Sequence, residues 1–173
     1  MEEQKNYPLL IKAFAKFCEH NNDYILNIFG RGSLESSLRD LIQSLSLDNK
    51  IFLKGFSKNI DDEIKSASIY VLSSFHEGMP NSLLEAISLG TPSISTDANP
   101  GGPKIIISKC KGSILIKNND IDSLTNALIE MSSKYNYYFE LAQKDAVIIR
   151  NEFSINTIGN KWINYFTNLQ TKK

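Results

Sequence analysis

Apolar positions along the chain alternate between two periods. Leu9, Leu10, Ala13, Phe14 and Phe17 recur at helical spacing behind Pro8, a residue suited to a helix's first turn, where its missing N–H would have no partner. Tyr24-Ile25-Leu26-Asn27-Ile28-Phe29 then reads as a short strand, closed by Gly30-Arg31-Gly32. Ser33 is placed to cap a helix whose apolar stripe is Leu34, Leu38, Leu41, Ile42 and Leu45. Ile51-Phe52-Leu53 predicts a second strand ended by Gly55. Asp61–Ala67 predicts a short helix with two acids in its first turn, where the helix dipole favours them.

The second half continues in the same way. Ile69-Tyr70-Val71-Leu72 is a third strand, and its Ser/His/Glu/Gly/Pro sequel is a loop. Asn81 to Leu89 reads as a helix capped by Asn81 and stopped by Gly90. Pro92–Ser95 and Gly112–Ile116 are a fourth and a fifth strand, and Asp120 or Asp122 opens a helix to about Ser132. From Tyr137 to about Leu169 the pattern gives two helices separated near Phe153-Ser154. Trp162, Ile163 and Phe166 are expected to pack the last of these into the core, and His20 to serve the end of the first helix. Strands separated by helix-length segments, with almost no hairpin turns, mean βα units and a parallel sheet. The expected fold is a single α/β domain over residues 1–173, Rossmann-like and doubly wound. Its ligand loops lie beyond the carboxyl ends of the strands, after Phe29, Leu53, Leu72 and Ser95.

Composition narrows the function. The 173 residues carry 19 Lys+Arg against 19 Asp+Glu, a balance that draws neither nucleic acid nor an anionic membrane. Cys18 and Cys110 lie far apart, and His20 and His76 do not complete a zinc set, so both thiols are expected to be free and no metal is expected. No apolar run approaches a membrane span, and the acidic start Met1-Glu2-Glu3 does not resemble a signal peptide, so a cytoplasmic chain is expected.

Two loops carry candidate chemistry. Gly30-Arg31-Gly32 lets backbone approach a ligand at a helix start, but it lacks the third glycine of a dinucleotide fingerprint. The stretch from Ser73 to Ala86 says more. Glu77 sits at a strand's carboxyl end, Glu85 one turn into the next helix, and between them the amides near Asn81, Ser82 and Leu83 are free to hold a phosphate. Acceptors on both sides of an anion site suit a ligand with hydroxyls at both ends of a diphosphate, a nucleotide-sugar.

Glu77-Gly78-x6-Glu85-Ala86 resembles the signature of family-4-type (group 1) retaining glycosyltransferases of the GT-B fold. Lys5–Phe14 is similar to a segment near the start of their donor-binding domain. Leu26–Gly32, Lys50–Phe56, Ala86–Pro92 and Gly101-Gly102-Pro103 follow in the family's order, so the likeness covers nearly the whole chain. It implies that Glu77 contacts the donor sugar and supports charge at its anomeric carbon, and that Glu85 accepts from the ribose. It implies too that backbone around Gly78, Met79, Asn81, Ser82 and Leu83 holds the diphosphate, and that Lys5 neutralises it as it leaves. Gly30 and Gly32 would border the donor and Phe56 the base. No cofactor or metal is implied.

The resemblance begins after that domain's opening strand and the Gly-Arg that usually follows it, and it includes no acceptor-binding domain. Pro80 stands where many members have glycine, and Ile105 where they have glutamate; Lys104 beside it could meet phosphate instead. Two functional classes stay open. One is the donor half of an enzyme of cell-surface glycan synthesis, with a glycan or lipid acceptor and any membrane contact belonging to another domain. The other is a non-catalytic or truncated nucleotide-binding module of the same fold. A GT-B-like epimerase or phosphorylase is a third possibility, one that would require other acid–base residues.

Overall fold

A computed structural model describes residues 2–170. A 3-10 turn over Glu3–Lys5 leads through Asn6, in the left-handed region at φ 48°, into helix α1 (Tyr7–Cys18). Pro8 occupies the first turn of α1, and Leu9, Leu10, Ile11, Ala13, Phe14 and Phe17 form its buried stripe. Strand β1 (Leu26–Phe29), helix α2 (Glu35–Ser44), strand β2 (Ile51–Gly55) and helix α3 (Ile60–Ser66) follow. Then come β3 (Tyr70–Leu72), β4 (His76–Glu77), α4 (Asn81–Ser88), β5 (Ser93–Thr96), β6 (Asn99–Pro100) and α5 (Gly102–Ile107). Strand β7 (Ser113–Ile116) and helices α6 (Ile121–Ser133), α7 (Tyr135–Glu152) and α8 (Ile155–Gln170) complete the order.

Every strand pairing among the described residues is parallel, as the alternating pattern requires. β1 pairs with β2, from Leu26 opposite Ile51 to Phe29 opposite Gly55. β5 lies between β3 and β7, with Ile94 opposite both Val71 and Ile114. The two blocks are not hydrogen-bonded to each other. β4 and β6 form a separate two-residue ribbon, His76 opposite Asn99 and Glu77 opposite Pro100.

Apolar side chains fuse the layers. The larger cluster joins the α1 stripe, Leu38 and Ile42 of α2, Ile94 and Ile116 of the sheet, and Leu124, Leu128 and Met131 of α6. The smaller gathers Leu72, Leu83, Ile87, Ile106, Ile107, Cys110 and Ile149. α7 is fastened to the sheet by its buried Asp145, whose Oδ2 accepts the Gly112 amide at 2.6 Å. A Cβ on Gly112 would lie 2.4 Å from the Ala142 nitrogen, so only glycine allows this approach. Both cysteines are free thiols, and burial pushes the Cys110 thiol up to about 12.

Several local expectations are corrected. Ser33 does not cap α2, which starts at Glu35 without a side-chain cap. Asn81 is not a cap either; it is the first residue of α4 and follows Pro80. The expected cap at Asp120 is present, its carboxylate accepting the Ser123 amide at 2.9 Å and held below its ordinary pKa by that bond. The last helix does not enter the core: Trp162, Ile163 and Phe166 are 57%, 63% and 56% exposed. Its aromatic rings cover one another instead, Trp162 stacked on Phe166 at 5.6 Å and Tyr165 edge-on to Phe166 at 5.7 Å. Among the described residues no helix is long and apolar enough to cross a membrane.

Candidate functional site

The segment between β3 and α4 is fixed from four sides. The Phe75 amide donates to the Gln4 carbonyl at 3.1 Å, while the Phe75 carbonyl accepts from the Asn99 amide at 3.3 Å and Asn118 Nδ2 at 2.9 Å. The Gln4 side-chain amide donates to the His76 carbonyl at 2.6 Å. The hydroxyl of buried Ser73 reaches the Lys5 carbonyl at 2.8 Å, and Thr96 Oγ1 donates to the Ser74 carbonyl. Residues scattered through the sequence therefore hold one carboxylate, Glu77, in a set place.

Glu77 is only 8% exposed. Its Oε1 accepts from Lys5 Nζ at 2.7 Å and from the fully buried Ser74 hydroxyl at 2.8 Å. An ammonium and a hydroxyl on one carboxylate oxygen compensate its desolvation, which burial alone would make costly. Lys5 remains partly exposed and can turn toward an incoming anion.

Beyond Glu77 the chain turns through Gly78 and Met79 into α4. Gly102, at the start of α5, backs this turn so closely that a Cβ there would lie 1.5 Å from the Gly78 carbonyl oxygen. The neighbouring Gly101 takes φ 110°, a left-handed conformation natural to glycine. In the first turn of α4 the amides of Asn81, Ser82 and Leu83 have no partner within the helix. Leu83's side chain is core, so only its backbone faces this chemistry. Tyr70 on β3 shares a hydrogen bond with Ser82, and burial pushes its phenol up to about 12, so it stays protonated near neutrality. Glu85 is exposed one turn on.

Lys5, Ser73, Ser74, Ser82 and Glu85 open onto one cavity of about 780 Å³. Asn81 and Glu85 also border a groove of about 260 Å³ against Arg150 and Phe153 of the α7 end. The other expected residues lie in neighbouring loops. Gly30, with φ 116°, gives its amide to the Gly55 carbonyl at 2.7 Å, which ties the glycine turn to the end of β2. Gly32 is exposed, and Phe56 is a 75%-exposed aromatic at the end of β2. Met79 is 46% exposed at the entrance to α4. Lys104 lies 3.8 Å from Asp97 and Ile105 points outward.

Ser74, Tyr70 and the β6 residue Asn99 were not among the expected site residues. Ser74 reaches Glu77 from only three residues away and Tyr70 reaches Ser82 across the loop, contacts that the packed loop decides and no sequence pattern marks. The β4–β6 ribbon has two residues a side, too short for any period to show.

The description of one protein family, glycosyl transferases group 1, matches residues 1–146. Over 133 residues, 75% of this chain and 34% of the relative, the chain is 35% identical to the Escherichia coli UDP-Gal:alpha-D-GlcNAc-diphosphoundecaprenol alpha-1,3-galactosyltransferase. It is 25% identical, over 96% of its length and 34% of the relative's, to the poly(ribitol-phosphate) alpha-N-acetylglucosaminyltransferase of Staphylococcus aureus. A crystal structure of an S. aureus TarM mutant with fondaparinux, alpha-GlcNAc-glycerol and UDP superposes with a TM-score of 0.88 at 25% identity, covering 96% of this chain and 34% of that one. The chain thus spans about a third of the length of each.

Proposed function

The chain belongs to the glycosyl transferases of group 1, and from that membership we propose that it is the donor-binding part of a retaining enzyme of cell-surface glycan synthesis. In this reading a sugar moves from a nucleoside diphosphate to an acceptor hydroxyl that another domain of a longer protein presents. The observation that carries it is the placement of Glu77 and Glu85 on either side of the α4 N-terminus, with Lys5 on Glu77. The acceptors in the relatives' names, a diphosphoundecaprenol-linked sugar and a poly(ribitol phosphate), support the glycan class. The alpha products in those names support retention, because nucleotide-sugars of this type carry the sugar in alpha linkage.

The bond from the anomeric carbon to the diphosphate breaks, and a bond to the acceptor oxygen forms on the same face. The acceptor's proton leaves with the departing phosphate oxygen. Lys5 and the first-turn amides of α4 stabilise the charge that accumulates on the diphosphate, without calling on a metal ion. Glu77 offers its carboxylate to the sugar hydroxyls and to the positive charge developing at the anomeric carbon. Glu85 accepts from the ribose, with Phe56 and the Gly30-Arg31-Gly32 turn bordering the nucleoside. We place the reaction in the cytoplasm.

Calorimetric titration separates these roles. Glu85→Ala is expected to weaken UDP and UDP-sugar alike, by about 10- to 100-fold, the worth of a hydrogen bond to a charged group. Glu77→Ala is expected to weaken the UDP-sugar alone. Equal losses of both ligands in both variants would overturn the assignment.

A further inference from the structure

Gln4 and Lys5 run beside the segment that carries Glu77 and grip it at both ends. Lys5 takes the outer contacts: its carbonyl accepts from Ser73 Oγ at 2.8 Å, and its Nζ donates to Glu77 Oε1 at 2.7 Å. Gln4 takes the inner ones. Its carbonyl accepts the Phe75 amide at 3.1 Å, and its side-chain Nε2 donates to the His76 carbonyl at 2.6 Å. That carbonyl belongs to the rigid peptide unit that leads into Glu77, so its direction sets where the glutamate side chain starts. The β4–β6 ribbon does not hold it. The Asn99 amide goes to the Phe75 carbonyl at 3.3 Å, and along a parallel ladder successive carbonyls point to opposite sides, which turns that of His76 away from β6. Gln4 is itself seated in the 3-10 turn, where the Lys5 amide donates to the Glu2 carbonyl at 3.1 Å and the Asn6 amide to Glu3 at 2.9 Å. Glu77 is therefore held at its carboxylate by Lys5 and Ser74, and at its backbone by Gln4.

From this geometry we infer that Gln4 is a positioning residue of the site: through the His76 carbonyl it fixes the peptide that aims Glu77 at the donor sugar, without touching the ligand. The inference rests on the donor-site reading of Glu77 given above. In that reading Lys5 turns to the diphosphate when the donor arrives, and Glu77 Oε1 then keeps only Ser74 of its two donors. The bond from Gln4 to His76 is untouched by that exchange, so it carries more of the aim when the site is filled than when it is empty. The bond is also exposed to solvent. Its loss hands the His76 carbonyl to water at little cost to the fold, and the cost falls on the aim of the carboxylate. Displacements of an ångström are enough to spoil such a contact. The part of the ligand that should feel Gln4 is therefore the sugar, which meets Glu77, and not the nucleotide, which meets Glu85 and the α4 amides.

The test compares the 173-residue chain with Gln4→Met, which keeps the length and removes the donor, and Gln4→Lys, which keeps a donor. Calorimetric titration uses UDP and UDP-galactose as probes. Gln4→Met should weaken UDP-galactose about three- to tenfold, the worth of one hydrogen bond, and leave UDP unchanged. Its melting temperature should stay within about 2 °C of the parent chain, as for other surface changes. Gln4→Lys should restore the ratio of the two affinities; both probes carry the diphosphate, so the added charge acts on both. In the unliganded protein the Glu77 amide and carboxyl NMR resonances should move in Gln4→Met and stay near their parent positions in Gln4→Lys. Loss of UDP and UDP-galactose by the same factor in Gln4→Met would overturn the inference. So would Glu77 resonances that do not move there, or a Gln4→Lys chain that behaves as Gln4→Met does. If the parent chain gains nothing from the galactose, the donor-site reading fails for this probe, and the Glu77 resonances alone decide whether Gln4 holds that residue.

Discussion

At the scale of single residues, the candidate chemistry depends on how a buried carboxylate is kept tolerable. Glu77 takes two donors on one oxygen, an ammonium from far earlier in the chain and the hydroxyl of Ser74 three residues before it. Ser74 is buried, so water does not take the place of its hydroxyl without rearrangement. Ser74→Ala is therefore expected to destabilise the fold by about 1–3 kcal/mol, the cost of a buried charged group losing a donor. Urea unfolding measures this, and an unchanged midpoint would show that the bond contributes nothing. The glutamate pair was legible in the sequence, because its spacing and its position between a strand and a helix are local facts. Its partner Ser74 was not, since either serine of Ser73-Ser74 could have faced the carboxylate and only the packed loop decides which does.

At the scale of elements, α4 and the turn before it depend on the chain that backs them. The Gly101-Gly102-Pro103 turn presses on Gly78 and Met79, and the β4–β6 ribbon ties Glu77 to Pro100. A methyl group at Gly102 would overlap the Gly78 carbonyl at 1.5 Å, so one loop must shift. Gly102→Ala is expected to lower the melting temperature by several degrees, the effect of about 1–3 kcal/mol of strain in a domain of this size. It should also weaken nucleotide-sugar binding, because in the proposed function the displaced turn carries the sugar and diphosphate contacts. A variant with wild-type stability and binding would mean that the two loops do not depend on each other. The principal helices and strands were legible because the apolar period switches cleanly between about 3.6 and continuous runs. The misplaced caps at Ser33 and Asn81 show the usual weakness of that reading at helix ends, where one residue changes the partner of an amide. The last helix shows a different one. Its apolar stripe was visible, but a stripe names no neighbour, and in the structure Trp162 and Phe166 pack on each other rather than on the core.

At the scale of the whole molecule, the parallel α/β architecture and the group 1 family were both readable from the chain, since motifs in a fixed order cover nearly its full length. The division of the sheet into two blocks was not readable, because strand patterns identify strands and not the gaps between them. The central claim is that loops from β3, α1 and α4 converge on a nucleotide-sugar site. The most direct test is a two-dimensional NMR titration of the isotope-labelled protein with UDP, GDP, ADP and their common sugar conjugates. The account predicts a selective response to one base, with shifts concentrated at Lys5, Ser82 and Glu85. The sugar conjugate should add shifts at Glu77 and Gly78. Saturable binding whose shifts fall elsewhere, leaving the Lys5–Glu77 loop and the α4 N-terminus unmoved, would contradict it.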